Sequence, residues 1–99
     1  MELPERVQAN NARLERITDT NARLALVADQ LRDGWQTLAP LIEYYETQWQ
    51  DDFHTFSDEP VGLFSEDGVW NEMGSFYHAV KEIAEVAGEI VKEYEGAGD

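Results

Sequence analysis

Residues 44–71 read YYETQWQDDFHTFSDEPVGLFSEDGVWN, and they bring aromatic, acidic and turn-forming residues together in one stretch. The tyrosines, tryptophan and aspartate of YYxxxWxxD have the spacing of a helix. The residues that follow include Ser57, Asp58, Pro60 and Gly62, a composition typical of a loop. We therefore predict a helix that ends near Phe53, a loop over 54–65, and a helix that begins after it. This turn decides the fold, because the patterns on both sides of it are helical.

The segment before this stretch carries apolar residues on a seven-residue repeat. One line of the repeat runs from Val7 to Trp49 and the other from Leu3 to Tyr45. A repeat sustained over six heptads predicts a helix that packs along its length, in the manner of a coiled coil. Asn10 and Asn21 interrupt the two lines. Buried polar residues at such positions fix the register or the number of partners; the alternative is that the seam is loose there.

Gly34 and Pro40 lie in the middle of this pattern. A proline inside a helix removes a hydrogen bond and clashes with the preceding turn, which costs about 3 kcal/mol. The heptad phase continues across Pro40, which favours a kink. A helix of that length would extend about 72 Å, which favours a break. We predict the break near 34–39, with helices over about 4–34 and 40–53.

The last helix is predicted over about 66–94. Ser65 is a suitable N-cap, and apolar residues follow from Val69 to Tyr94 with alternating spacings of four and three. Residues 96–99 should fray. Nothing alternates with period two, so residues 1–95 are predicted to form a single all-α domain. We expect an antiparallel helical hairpin or three-helix bundle with long coiled-coil-like helices, and a dimer would bury the rest of the apolar stripes.

The segment 41–76 resembles a bacterial family of short helical proteins, a domain of unknown function. The family's pattern is a paired tyrosine with Trp and Asp one and two turns later, then a Gly-apolar-apolar-Ser-Glu-Asp turn followed by an aromatic and an Asn. The chain departs from it in having Trp70 where the family has Tyr, and in a shorter loop that lacks a basic residue before the glycine. The resemblance implies an all-helical fold and supplies no activity or cofactor. The residues that carry it are Tyr44, Tyr45, Trp49, Asp52, Gly62, Leu63, Phe64, Ser65, Glu66, Asp67, Trp70 and Asn71.

The charge of the chain is strongly negative. Its 99 residues include 7 basic and 21 acidic ones, for a formal charge of −14 at pH 7. Residues 33–80 hold ten of the acids and no Lys or Arg. Such a field repels nucleic acid and anionic membranes, both of which are bound through basic residues. We therefore expect a basic protein partner, with solubility alone as the alternative explanation of the charge.

The absence of cysteine excludes disulfides, thiol catalysis and thiolate metal sites. The first residues are acidic and do not resemble a secretory signal, and no apolar run approaches the roughly 20 residues that cross a bilayer. These features predict a cytoplasmic protein.

The sequence predicts a small acidic interaction module of the inhibitor, antitoxin or adaptor type, with no catalytic residue, metal or cofactor. The expected partner-binding residues are Glu43, Tyr44, Glu46, Asp58, Glu59 and Glu72. Tyr44 lies off the heptad lines and is expected to be exposed. A second set is expected to form a structural corner, with Asp52 accepting backbone N–H bonds from the loop. This set is Tyr45, Trp49, Asp52, Gly62, Ser65, Asp67 and Asn71.

Two alternatives remain open. The first is a metal-dependent hydrolase. Its candidate ligands are the paired carboxylates Glu43 and Glu46 on one helix and Glu82 and Glu85 on another, since paired helical glutamates can hold Mg²⁺ or iron. A di-iron site would need two Glu-x-x-His motifs, which the chain lacks. The second alternative is a structural protein that only associates with itself.

Overall fold

A computed structural model describes residues 2–65 and 67–97, and all regular secondary structure in them is helical. The helices are α1 (Glu5–Leu24), α2 (Val27–Thr47), α3 (Trp49–Phe56) and α4 (Gly68–Ala97), with a short 3₁₀ turn at Gly62–Phe64 between α3 and α4. The predicted all-α class is confirmed for these residues. In this part of the chain, no helix combines the length and the apolar character that crossing a membrane requires.

The interruption of the first helical pattern lies elsewhere than predicted. Helix α2 runs without a break through Gly34 and Pro40. The proline removes the N–H that would bond to the carbonyl of Gln36, and Gln36 is exposed, so water can satisfy that carbonyl. The regular pattern is lost instead at Ala25 and Leu26, where the Leu26 N–H donates to the carbonyl of Arg23, three residues back. No glycine or proline marks that point.

The chain divides into two compact units, Met1–Gln36 and Thr37–Asp99. In the first unit, no residue of α1 is buried. In the second, α4 packs against the 3₁₀ turn, and Val69 is buried with 6% of its surface exposed. The structure thus confirms the helical class and not the finer arrangement, a hairpin or bundle of long paired helices.

The remaining boundaries differ by a few residues from those predicted. Helix α3 continues to Phe56, beyond the predicted end at Phe53, with only Gln48 between it and α2. Helix α4 begins at Gly68 and not at residue 66, which lies outside the described residues. The predicted frayed tail at 96–99 is helical as far as Ala97, and residues 98–99 lie outside the described residues.

Candidate functional site

Trp49 is the centre of an aromatic cluster in the second unit. Its ring stacks on Phe53 with centroids 4.9 Å apart and an angle of 21°, and it lies 5.2 Å from the ring of Tyr45. The indole Nε1–H donates a 2.8 Å hydrogen bond to the carbonyl of Leu63 in the 3₁₀ turn. Phe53 also meets Phe64 edge to face, with centroids 6.3 Å apart. These contacts attach α3 to the 3₁₀ turn. We call residues 44–69 the aromatic corner.

Tyr44 and Asp52 form a second link in the aromatic corner. The Tyr44 hydroxyl donates a 2.7 Å hydrogen bond to Oδ2 of Asp52, and both residues are half-buried. This corrects the prediction that Tyr44 is exposed, and it identifies a donor to Asp52 other than the predicted loop backbone. The hydrogen bond to the Asp52 carboxylate raises the pKa of Tyr44, with smaller contributions from burial and from the negative charge of Asp52. The pair joins α2 to α3 across Gln48.

The turn before α4 is built differently from the one predicted. The Ser65 hydroxyl donates to the carbonyl of Gly62 at 2.8 Å, so it closes the 3₁₀ turn, whereas we expected it to cap α4. Gly62 does not adopt a positive φ, and a Cβ there would meet no atom within 4 Å. The glycine that the turn needs is Gly68, where a Cβ would collide with Ser65 Oγ and lie 3.0 Å from the carbonyl oxygen of Gly62.

Asp67 and Asn71 form the first backbone bond of α4. The N–H of Asn71 donates to the carbonyl of Asp67 at 2.8 Å, so Asp67 occupies the position before the first helical residue. Both side chains are exposed. Sequence reasoning placed these two residues in the structural corner but assigned the cap to Ser65, because a serine before a run of acids matches the usual N-cap signal.

An open groove lies against the aromatic corner. Its walls are mostly apolar, with one carboxylate. The residues that line it are Leu41, Gly62, Leu63, Gly68, Val69 and Glu72. Leu41 comes from α2, and Val69 and Glu72 come from the first turns of α4. The sequence indicated Glu72 as a contact residue and did not indicate the groove, because its walls come from three separate elements.

The predicted partner-binding acids are all exposed, but they do not share one face. Glu72 lines the groove. Glu43 and Glu46 lie one turn apart on α2, on the side away from Leu41, since they are about 200° and about 140° around the helix from it. Asp58 and Glu59 lie between α3 and the 3₁₀ turn. Among the described residues, the one salt bridge joins Arg32 to Asp29, so none of these five acids has a basic partner there.

The glutamates proposed as metal ligands lie on two helices, Glu43 and Glu46 on α2 and Glu82 and Glu85 on α4, and all four are exposed. Within residues 2–65 and 67–97, no three His, Asp or Glu side chains come together as a metal ion requires. The hydrolase alternative stays a prediction.

No protein-family model matches the chain, and no curated protein or solved structure shows significant similarity to it. The resemblance of residues 41–76 to a helical family of unknown function stays a prediction.

Proposed function

We propose that the protein is a small acidic interaction module that binds a basic protein partner, as inhibitors, antitoxins and adaptors do. One observation carries the proposal: residues 33–80 have ten acids and no Lys or Arg, and the acids predicted to bind the partner are exposed and without a basic neighbour in the described part of the chain. Unpaired carboxylates at a surface gain from a cationic partner, since the field they create attracts it from a distance and speeds association.

The groove supports a more specific form of this partner. Its apolar walls suit an apolar side chain, and Glu72 in the wall suits a Lys or Arg beside it. We therefore propose a basic segment with an apolar anchor, which enters the groove between Leu41 and Val69. Glu43, Glu46, Asp58 and Glu59 then act through the long-range field, and Glu72 acts through contact.

For the rest of the chain, we propose that the long helices pair, as a helical hairpin or three-helix bundle that dimerises, and that the protein works in the cytoplasm. The support for pairing is the exposure of large apolar residues along α1 and α4, which include Leu14 and Ile90 at 62% and 59% of their surface. Apolar stripes of this kind gain free energy when another helix covers them.

The test is capture of the partner from a lysate of the source cells at low salt, followed by affinity measurement with the purified candidate. One test variant changes Glu43, Glu46 and Glu59 to Gln and Asp58 to Asn. We expect it to lose at least tenfold in affinity. The matched control removes four carboxylates elsewhere, at Glu5, Glu15, Asp19 and Glu85, and should retain most of the affinity.

Salt separates the two parts of the proposed interaction. Raising the ionic strength from 0.1 M to 1 M shortens the screening length from about 10 Å to about 3 Å, so the field of the distant acids should vanish while the groove contact persists. Glu72→Gln should weaken binding at both salt concentrations. An affinity that neither salt nor the fourfold variant changes would show that the electrostatic account is wrong.

A further inference from the structure

The first unit exposes an apolar stripe along α1. Its members Val7, Leu14, Ile17 and Leu24 have between 40% and 62% of their surface exposed, and we call these four residues the α1 stripe. No residue of α1 is buried. A helix with such a stripe is stable in a protein only when the stripe packs on something, because most helical stability comes from tertiary contacts.

The outer part of α4 exposes a second stripe. Ile83, Ile90 and Tyr94 have 42%, 59% and 80% of their surface exposed, and we call these three residues the α4 stripe. Every described side chain from Lys81 to Gly96 is exposed. Tyr77 and Val91 widen the apolar surface on one side, which leaves room for two neighbouring helices.

Arginines border the α1 stripe along one side only. Arg6 and Arg13 are two helical turns apart, and so are Arg16 and Arg23, so all four extend along the same flank of the helix. Arg13 donates to Oδ1 of Asn10 at 3.0 Å. No carboxylate in the described part of the chain forms a salt bridge with any of the four. This flank therefore carries four positive charges that a negatively charged partner surface could neutralise.

Glutamates border the α4 stripe on the corresponding side. Glu82, Glu89 and Glu93 lie on that flank of α4, whereas Lys81 and Lys92 lie on the side away from the stripe and Glu95 on the other flank. The ammonium of Lys81 lies 6.0 Å from the ring centre of Tyr77, on the side where the stripe is widened. When each helix is viewed from its own N-terminus, the arginines of α1 and the glutamates of α4 are on the same side of their stripes.

The charges select one pairing of these helices. In an antiparallel pair, the corresponding flanks of the two stripes meet; in a parallel pair, opposite flanks meet. An antiparallel pair of two α1 helices would face arginine with arginine, and a pair of two α4 helices would face glutamate with glutamate. A parallel pair of α1 and α4 would set the arginines against the flank of α4 that holds Glu95 alone, and parallel pairs of two α1 or two α4 helices would set a charged flank against Glu15 alone or Glu95 alone. The antiparallel pairing of α1 with α4 brings the most opposite charges together, four arginines against three glutamates.

We propose that α1 docks antiparallel on the α4 stripe of a second copy of this chain, so that a twofold dimer contains the contact twice. A second copy is favoured over the same chain by helix length. Helices α2 and α3, with Gln48 between them, have as many residues as α4. A hairpin within one chain that turned between α3 and α4 would match α4 along its whole length with α2 and α3, so we assign the partner of α1 to a second copy.

The two stripes also match in register. When Leu14 is placed opposite Ile83, Val7 falls opposite Ile90 and Ile17 opposite Val80, because both patterns alternate spacings of three and four. In this register Arg6 lies near Glu93, and Arg16 near Glu82. The charged residues of the interface lie outside the acidic stretch 33–80, so they can be changed without altering the acids proposed to bind a basic partner.

The first test measures molar mass by light scattering across a dilution series. Wild type should be a dimer. Reversal of the arginines, R6E/R13E/R16E/R23E, should raise the dimer dissociation constant by roughly tenfold or more, since several attractive pairs become repulsive. Adding E82K/E89K/E93K to the same chain should restore the dimer. The matched control, E5K/E15K/D19K on the opposite side of α1, should leave the dimer intact.

The second test uses the absence of cysteine, which makes any disulfide diagnostic. Chains with Leu14→Cys and with Ile83→Cys are mixed and oxidised. The disulfide should form between the two variants, and Ala12→Cys with Ile83→Cys should form far less of it, because Ala12 lies on the other side of α1. A monomeric wild type, a disulfide chiefly between two Leu14→Cys chains, or no rescue by the double reversal would each overturn the proposal.

Discussion

The aromatic corner and the outer part of α4 belong to the same unit and are both mainly helical, yet different forces hold them. In the aromatic corner, side chains fix the backbone: Trp49 bonds to the carbonyl of Leu63, Tyr44 bonds to Asp52, and Val69 is buried. From Lys81 to Gly96, the described side chains are all exposed. The corner therefore specifies its own shape, whereas the outer helix leaves its apolar stripe exposed.

This difference agrees with the separate roles proposed above for the two regions. A segment held by specific side-chain bonds suits recognition, because the groove walls are then fixed before a partner arrives and less ordering entropy is lost on binding. A regular helix with an apolar stripe and charged flanks suits assembly, because it selects a partner by periodicity and charge. Substitution of the same residue type in the aromatic corner and elsewhere on α4 tests this difference.

The largest expected effect is from Trp49→Ala. It removes the stacking on Phe53 and leaves the Leu63 carbonyl without its donor. Truncation of a core tryptophan costs about 3 to 5 kcal/mol, and because Trp49 is half-buried we expect about 2 to 3 kcal/mol. Urea denaturation followed by circular dichroism measures the free energy of unfolding.

Trp70→Ala is the matched control for this experiment. Trp70 has 64% of its surface exposed, so its removal should change the free energy of unfolding by less than about 0.5 kcal/mol. An equal loss of unfolding free energy in the two variants would show that side-chain contacts stabilise the aromatic corner no more than they stabilise α4.

The next effect contrasts two glycines of α4. Gly68→Ala places a methyl group against Ser65 Oγ and the carbonyl oxygen of Gly62, so the 3₁₀ turn must shift. We expect a loss of about 1 to 2 kcal/mol. Gly88 lies in the outer helix with no atom near its missing Cβ. There alanine should stabilise the helix by about 0.5 to 1 kcal/mol, because glycine loses more conformational entropy.

Thermal unfolding of the two variants should therefore move in opposite directions from wild type. A gain in stability for Gly68→Ala would mean that the turn at Gly62–Phe64 adapts freely, and the aromatic corner would then be less constrained than its contacts indicate.

The helices were predictable because their signal is periodic and local. The stripe from Val69 to Tyr94 predicted α4, and the residues from Ser57 to Gly62 predicted the loop. Continuity through Pro40 was not predictable from composition, because the cost of the proline depends on whether the freed carbonyl of Gln36 reaches water. The irregularity at Ala25 and Leu26 could not be predicted either, because no glycine or proline lies there.

The sequence allowed us to predict which residues belong to the site, but not which hydrogen bonds they form. Tyr44 and Asp52 were both singled out, but residues eight apart in a regular helix are separated by about 12 Å along the axis, so nothing suggested a direct contact. The irregular turn at Gln48 intervenes between them. Gly68 was missed because a glycine that avoids a steric clash, with no positive φ, leaves no pattern in the sequence. The groove was missed because it exists only in three dimensions.

The smallest expected effect concerns the pair Tyr44 and Asp52. Tyr44→Phe removes the hydroxyl that donates to Asp52, so the free energy of unfolding should fall, by less than for Gly68→Ala. Tyr77→Phe is the control, since Tyr77 has 60% of its surface exposed and should change stability little.

Alkaline pH tests the same bond in the intact protein. The hydrogen bond raises the pKa of Tyr44 above its usual value, so its contribution to stability is complete below a pH of about 10, the pKa in the unfolded chain, and is lost as the pH rises through the higher folded pKa. Absorbance at the phenolate band should show an ionisation step above the usual tyrosine range, and Tyr44→Phe should remove that step. If the step persists in Tyr44→Phe, the bond to Asp52 does not hold the Tyr44 proton, and the contact between Tyr45 of α2 and Trp49 of α3 is left as the side-chain link between those helices.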